Sequence, residues 1–142
     1  MKNSLLAAAL LVSTLSGCVA PVHPPKPMPA PVCKTGDAMT QTTLYFGLSR
    51  SHGTNISAAE WQSFVDGDVT PRFKDGLTVF DARGQWLGQD GKVAREPSKA
   101  LLLIHADTPQ NEQNIEALRT RYKQRFQQES VMRVDQPTCV AF

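Results

Sequence analysis

The order of structural signals along this chain predicts an α+β domain of the ferredoxin-like βαββαβ kind, an antiparallel four-stranded sheet with two helices on one face. Three observations carry that expectation. A β-branched and aromatic stretch with period-two alternation opens the domain. Two segments with helix-start signatures divide four strand-like segments in the order strand, helix, strand, strand, helix, strand. The first and third strands are the most apolar, as the two central strands of such a sheet should be.

Each element has its own local reason. Thr42 to Leu48 alternates Leu44, Phe46 and Leu48 against Thr43, Tyr45 and Gly47, which reads as a strand. Ser57 and Glu60 form a capping box, and Ile56 can staple against Trp61. Trp61, Phe64 and Val65 give the helix one apolar face, and Pro71 ends it because the residue before a proline disfavours helix. Gly76 to Leu87 is a second strand, kinked near Gly84, and Asp90-Gly91 is a tight-turn signal. Lys99 to His105 is the third strand. Thr108 caps a second helix with Pro109 in its first turn. Ile115, Leu118, Tyr122 and Phe126 recur as one stripe for burial. Val131 to Val134 starts a last strand that can run past Pro137.

The segment ahead of the domain reads as an address and a stalk. Lys2, the apolar run Leu5 to Val12 and the small residues after it have the layout of a secretory signal peptide, too short to span a membrane. Leu15-Ser16-Gly17-Cys18 resembles the lipobox of bacterial lipoproteins. That resemblance implies cleavage after residue 17 and lipidation at Cys18, with acyl chains such as palmitate as the anchor. An ordinary cleaved signal with a chance cysteine is the alternative. Val19 stands where lipoproteins kept in the inner membrane often carry Asp, which points to the outer membrane, facing the periplasm. Residues 18–41 form a tether. Six prolines between Val19 and Val32 make it an extended spacer, able to lift the domain by roughly 40 Å. The folded domain is placed at residues 42–142.

Composition excludes some classes. Without Lys2, 14 basic face 13 acidic side chains, which lacks the basic excess of a nucleic-acid binder. With Cys18 set aside, Cys33 and Cys139 remain for an oxidising compartment, so a disulfide is the natural pairing, with two free thiols as the alternative. In the expected fold the end of the last strand lies beside the start of the first, near these two cysteines.

No metal, phosphate-loop or dinucleotide motif and no catalytic signature appears, so no cofactor is expected and the reading leans away from an enzyme. The third strand, apolar on both faces, is the informative feature. One face needs a cover other than the helices: a second copy in a homodimer, a ligand, or the chain's own loops and tail. That open face is expected to carry Thr43 and Tyr45 with Leu101, Leu103 and His105. Arg72 could bind a carboxylate or phosphate, or pair with Glu96 or Asp81. Metal binding by His52, His105 and Asp107 is a remote option. The charges Arg119, Arg121, Lys123 and Arg125 suit a solvated helix face, or contact with anionic headgroups.

Trp61-x-x-Phe64, Thr70-Pro71-Arg72-Phe73, Gly76-Leu77-Thr78, Gly84-x-Trp86 and Glu96-Pro97-Ser98, in this order, resemble a family of small exported bacterial proteins catalogued as a domain of unknown function. The likeness covers about Thr42 to Phe142. Lys74 departs from the proline that often follows the Phe of the T-P-R-F segment. The resemblance implies no activity, but it singles out Arg72, Thr78, Glu96 and Ser98. Together with Tyr45 and His105 they form the candidate site for a small-molecule or protein ligand. The expected function is a lipid-anchored binding or accessory module using its open sheet face. A small-molecule enzyme of the dimeric ferredoxin-like type and an envelope structural protein are the alternatives.

Overall fold

The computed structural model describes residues 29–142; the expected signal peptide and lipidation site at Cys18 lie outside them. Strand β1 (Asp37–Gly47) leads to helix α1 (Ala58–Phe64), hairpin β2 (Thr78–Leu87) and β3 (Val93–His105), helix α2 (Pro109–Phe126) and β4 (Met132–Val140). The sheet order is β2-β3-β1-β4 with every neighbouring pair antiparallel, which is the ferredoxin-like arrangement.

Both helix starts are capped as the sequence predicts. Ser57 Oγ accepts the Glu60 amide at 3.2 Å, and a Glu60 carboxylate oxygen accepts the Ser57 amide at 2.9 Å. That bond, with Arg50 at 2.6 Å, lowers the Glu60 pKa to about 2. Thr108 accepts the Asn111 amide at 3.2 Å, with Pro109 in the first turn. One element has no sequence signal: α1 runs into a π-helical turn over Val65–Val69, closed by the Thr70 amide on Val65 O at 2.9 Å. The wider turn carries Val65, Asp68 and Val69 to buried positions.

Leu44, Phe46, Leu101 and Leu103 pack with the α2 stripe of Ile115, Leu118, Tyr122 and Phe126 in one buried core. Each such side chain contributes roughly 1.5–3 kcal/mol by leaving water. Phe46 is central, with its ring 4.5 Å from Tyr122 and 5.3 Å from Trp61, both edge-on. Phe46→Ala would remove about 3–5 kcal/mol. The Tyr122 hydroxyl donates to Gly47 O at 2.8 Å, and burial pushes its pKa up.

The register corrects the expected faces. Leu44 pairs with Leu101 and Thr42 with Leu103, and directly opposed residues of an antiparallel pair share a face. Leu101, Leu103 and His105 therefore turn toward the helices. The open face carries Leu102 and Ile104 instead, beside Thr43 and Gln41. A run of apolar residues fixes no phase; the partner strand does.

Two strands exceed their predicted lengths. β1 starts at Asp37, held beside β4 by the Cys33–Cys139 disulfide, whose Cα atoms are 5.6 Å apart. Gly36 makes that approach possible: a Cβ there would sit 2.0 Å from Val140 O. β3 starts at Val93, so β2 and β3 continue as a two-stranded arm beyond the last β1 pairing at Gly47 and Ser98.

Candidate functional site

The open sheet face is read directly from the register. One row crosses the whole sheet: Phe80, Ala100, Tyr45 and Met132. The next holds Thr78, Leu102, Thr43 and Val134. Five of the nine large hydrophobic side chains exposed among the described residues, Tyr45, Phe80, Trp86, Met132 and Val134, lie on this one face. Phe80 is 52% exposed and Met132 57%. Apolar side chains gathered on one face in this way are more than scattered surface apolarity.

The six site residues expected from sequence fall into three places. Tyr45 sits mid-face. Arg72, Thr78 and His105 border a cavity of about 520 Å³ at one end of the sheet, walled by Leu77, Leu102 and Ile104. This volume suits a small ligand. Glu96 lies at the other end, on the arm, with Ser98 at its base.

Two of the residues near the cavity are engaged internally. His105 is buried; Nε2 lies 2.8 Å from the Thr42 hydroxyl and Nδ1 3.0 Å from Ala106 O. Thr42 in turn donates to Asp135 at 2.6 Å, so His105 belongs to a chain of buried hydrogen bonds. Arg72 pairs with neither Glu96 nor Asp81. It donates to Asp68 O at 2.6 Å, and its guanidinium lies 3.7 Å from the Asp68 carboxylate. Lys99 takes Asp81. The buried Asp68 is also met by Arg121 at 3.1 Å and Arg125 at 3.6 Å, so these helix arginines close the core rather than face solvent alone. Among the described residues no three His, Cys, Asp or Glu side chains gather as a metal would require, and His52 stands in an exposed loop.

Arg133, absent from the sequence-based list, is the hub of the β4 edge. It reaches Glu112 at 2.6 Å, Glu116 at 3.0 Å and Asp135 at 2.9 Å. Its hydrogen bond holds the Glu112 pKa below the usual carboxylate range.

The arm is different. Gly84 pairs with Glu96, and the space above Gly84 is shared by Ser98 Oγ at 3.5 Å, Glu96 Cγ at 3.7 Å and the Trp86 ring at 3.8 Å from where a Cβ would stand. The Gly84-x-Trp86 and Glu96-Pro97-Ser98 segments thus form one cluster. Burial raises the Glu96 pKa, opposed only by a Ser49 hydrogen bond. Trp86, Gly84 and Gly47 were missing from the expected site. The Asp90-Gly91 turn was a usable signal, because folding the hairpin about it sets Gly84 opposite Glu96.

A family model described as "Protein of unknown function (DUF3574)" matches residues 41–142. Among curated proteins no relative matches. Among solved structures, a phage SAM lyase in complex with S-methyl-5'-thioadenosine superposes with a TM-score of 0.58 at 15% identity, covering 76% of this chain and 88% of that one. A phage SAM lyase in the apo state gives 0.56 at 17% identity, over 76% and 87%. CutA from Synechococcus elongatus PCC7942 gives 0.48 at 10% identity, over 72% and 78%. At 15–17% identity the likeness to the lyase structures speaks for the fold alone.

Proposed function

The chain belongs to the DUF3574 family, whose description assigns no activity, and on that premise we propose a lipid-anchored envelope module that binds through its open sheet face. The observation that carries this reading is the row Phe80–Ala100–Tyr45–Met132, whose three large side chains are exposed around the small, buried Ala100, flanked by Leu102 and Val134. Leaving it in water forfeits about 25 cal/mol for every Å² that a partner would cover. The first partner is a second copy. Charged residues stand only toward the ends of the face, Asp37 at one and Glu96 at the other, so its middle rows meet a second copy without charge, in keeping with the charge-poor centres of interfaces. The tether and the acyl anchor at Cys18 hold the module at the outer membrane on its periplasmic side. Confinement to one surface raises its effective concentration for self-association.

Sedimentation equilibrium of the detergent-purified full chain tests this. The wild type is expected to be a dimer and Phe80→Asp/Met132→Asp a monomer with unchanged circular dichroism. A wild type that stays monomeric throughout would refute self-association.

A small-molecule enzyme is the second reading, favoured by the cavity of about 520 Å³ that joins Arg72 and Thr78 to apolar walls. Retention of a small molecule lost on Thr78→Val would support it; a cavity empty under native mass spectrometry would not.

A further inference from the structure

Glu96 is an anomaly in this molecule. Every other carboxylate that is buried or half-buried among the described residues, namely Glu60, Asp68, Glu116 and Asp135, has an arginine within salt-bridge distance. Glu96 has no cation partner among those residues. The backbone is nevertheless cleared to receive it: a Cβ on Gly47 would fall 2.0 Å from Glu96 Oε1. Withdrawing a carboxylate from water without a countercharge is costly, and a bound cation removes that cost.

The surroundings specify what kind of cation. A hollow of about 440 Å³ lies between the arm and the loop Gln127–Ser130, with Glu96, Trp86 and Gly47 among its walls. Trp86 is half exposed, and its ring edge and Glu96 Cγ both lie within 4 Å of the same point above Gly84. A carboxylate beside an indole is a pairing that attracts organic ammonium groups, through charge and the ring quadrupole together. Of the two arginines bordering the hollow, Arg50 is neutralised by the Glu60 carboxylate at 2.6 Å, while Arg95 keeps its charge but is held by the Gln85 amide oxygen at 2.9 Å, and neither pairs with Glu96.

We infer that this hollow binds a small organic cation, an alkylammonium or methylated ammonium, with its head between the Glu96 carboxylate and the Trp86 ring. The inference does not rest on self-association and can be tested in the monomeric Phe80→Asp/Met132→Asp chain as well as in the wild type.

Calorimetric titration of the full chain at neutral pH with tetramethylammonium, choline and putrescine is the test. The neutral choline isostere 3,3-dimethylbutan-1-ol serves as control. At least one cation is expected to bind saturably, about tenfold or more tighter than the neutral alcohol. Glu96→Gln should weaken it about tenfold, and Trp86→Leu about two- to fivefold. Gly47→Ala retains both residues but displaces the Glu96 carboxylate, so it should match Glu96→Gln while keeping the wild-type circular dichroism. Affinity should also fall as pH drops and Glu96 takes up a proton. Saturable binding by none of the three cations, equal binding of choline and the alcohol, or binding untouched by Glu96→Gln and Gly47→Ala would overturn the inference.

Discussion

The two edges of the sheet are built on opposite terms. At the β4 edge the disulfide Cys33–Cys139 ties the chain entry to the last strand, and Arg133 gathers Glu112, Glu116 and Asp135. Polar groups there satisfy one another. At the β2 edge the hairpin arm runs past β1, with Trp86, Leu87 and Val93 exposed and Glu96 half-buried without a cation. The contrast separates residues that hold the fold from residues left for something else. A carboxylate withdrawn from water with complete partners is explained by stability; one withdrawn without them is left for something else to satisfy.

Perturbing each edge should sharpen that contrast. The largest effect is expected from Cys33→Ser/Cys139→Ser, which frees a loop of sequence separation 106 and costs up to about 4–5 kcal/mol on chain entropy alone. Urea unfolding measures it, and a loss under about 1 kcal/mol would mean that the β4 edge does not depend on the clasp. Asp68→Ala comes next, at about 2–3 kcal/mol, because Arg72, Arg121 and Arg125 lose a shared, nearly buried carboxylate. A thermal melt unchanged from wild type would contradict the role assigned to that cluster.

Acid should act on the two kinds of carboxylate in opposite senses. Glu60 and Glu112 have folded pKa values below their unfolded ones. Their stabilisation is present above about pH 4.5 and is lost as pH falls through the folded values, near 2 for Glu60. Glu96 has a raised folded pKa, so its contribution is fully present below the unfolded value and is lost as pH rises through the folded one. The smallest effect follows: Glu96→Gln should leave stability at neutral pH unchanged or raise it by a few tenths of a kcal/mol. Denaturant midpoints across pH check both. A clear destabilisation by Glu96→Gln would make Glu96 a structural residue after all.

Much of this was legible from the residues. The capping box at Ser57, the Thr108–Pro109 helix start and the Ile115–Phe126 stripe are local signals, and each element formed where its signal lay. Cys33 and Cys139 paired as their even number suggested. What was not legible depends on pairing between distant strands. Leu101 to Ile104 is apolar throughout, so only the opposition of Leu44 to Leu101 decides which residues face outward. That moved His105 from the open face into the buried chain with Thr42 and Asp135. The Asp68 cluster depends on a π-helical turn that leaves no mark in the sequence. Glycines 47 and 84 carry no side chain to read, although their emptiness accommodates Glu96.

The open face as a binding surface is the central claim, and residue-resolved hydroxyl-radical footprinting of the full chain across a dilution series tests it most directly. Phe80, Tyr45 and Met132 should be protected at high concentration and become reactive together on dilution, while the exposed pair Leu87 and Val93, which the register turns to the opposite side of the sheet, stay reactive throughout. Equal oxidation of Phe80, Tyr45 and Met132 at every concentration would contradict the account.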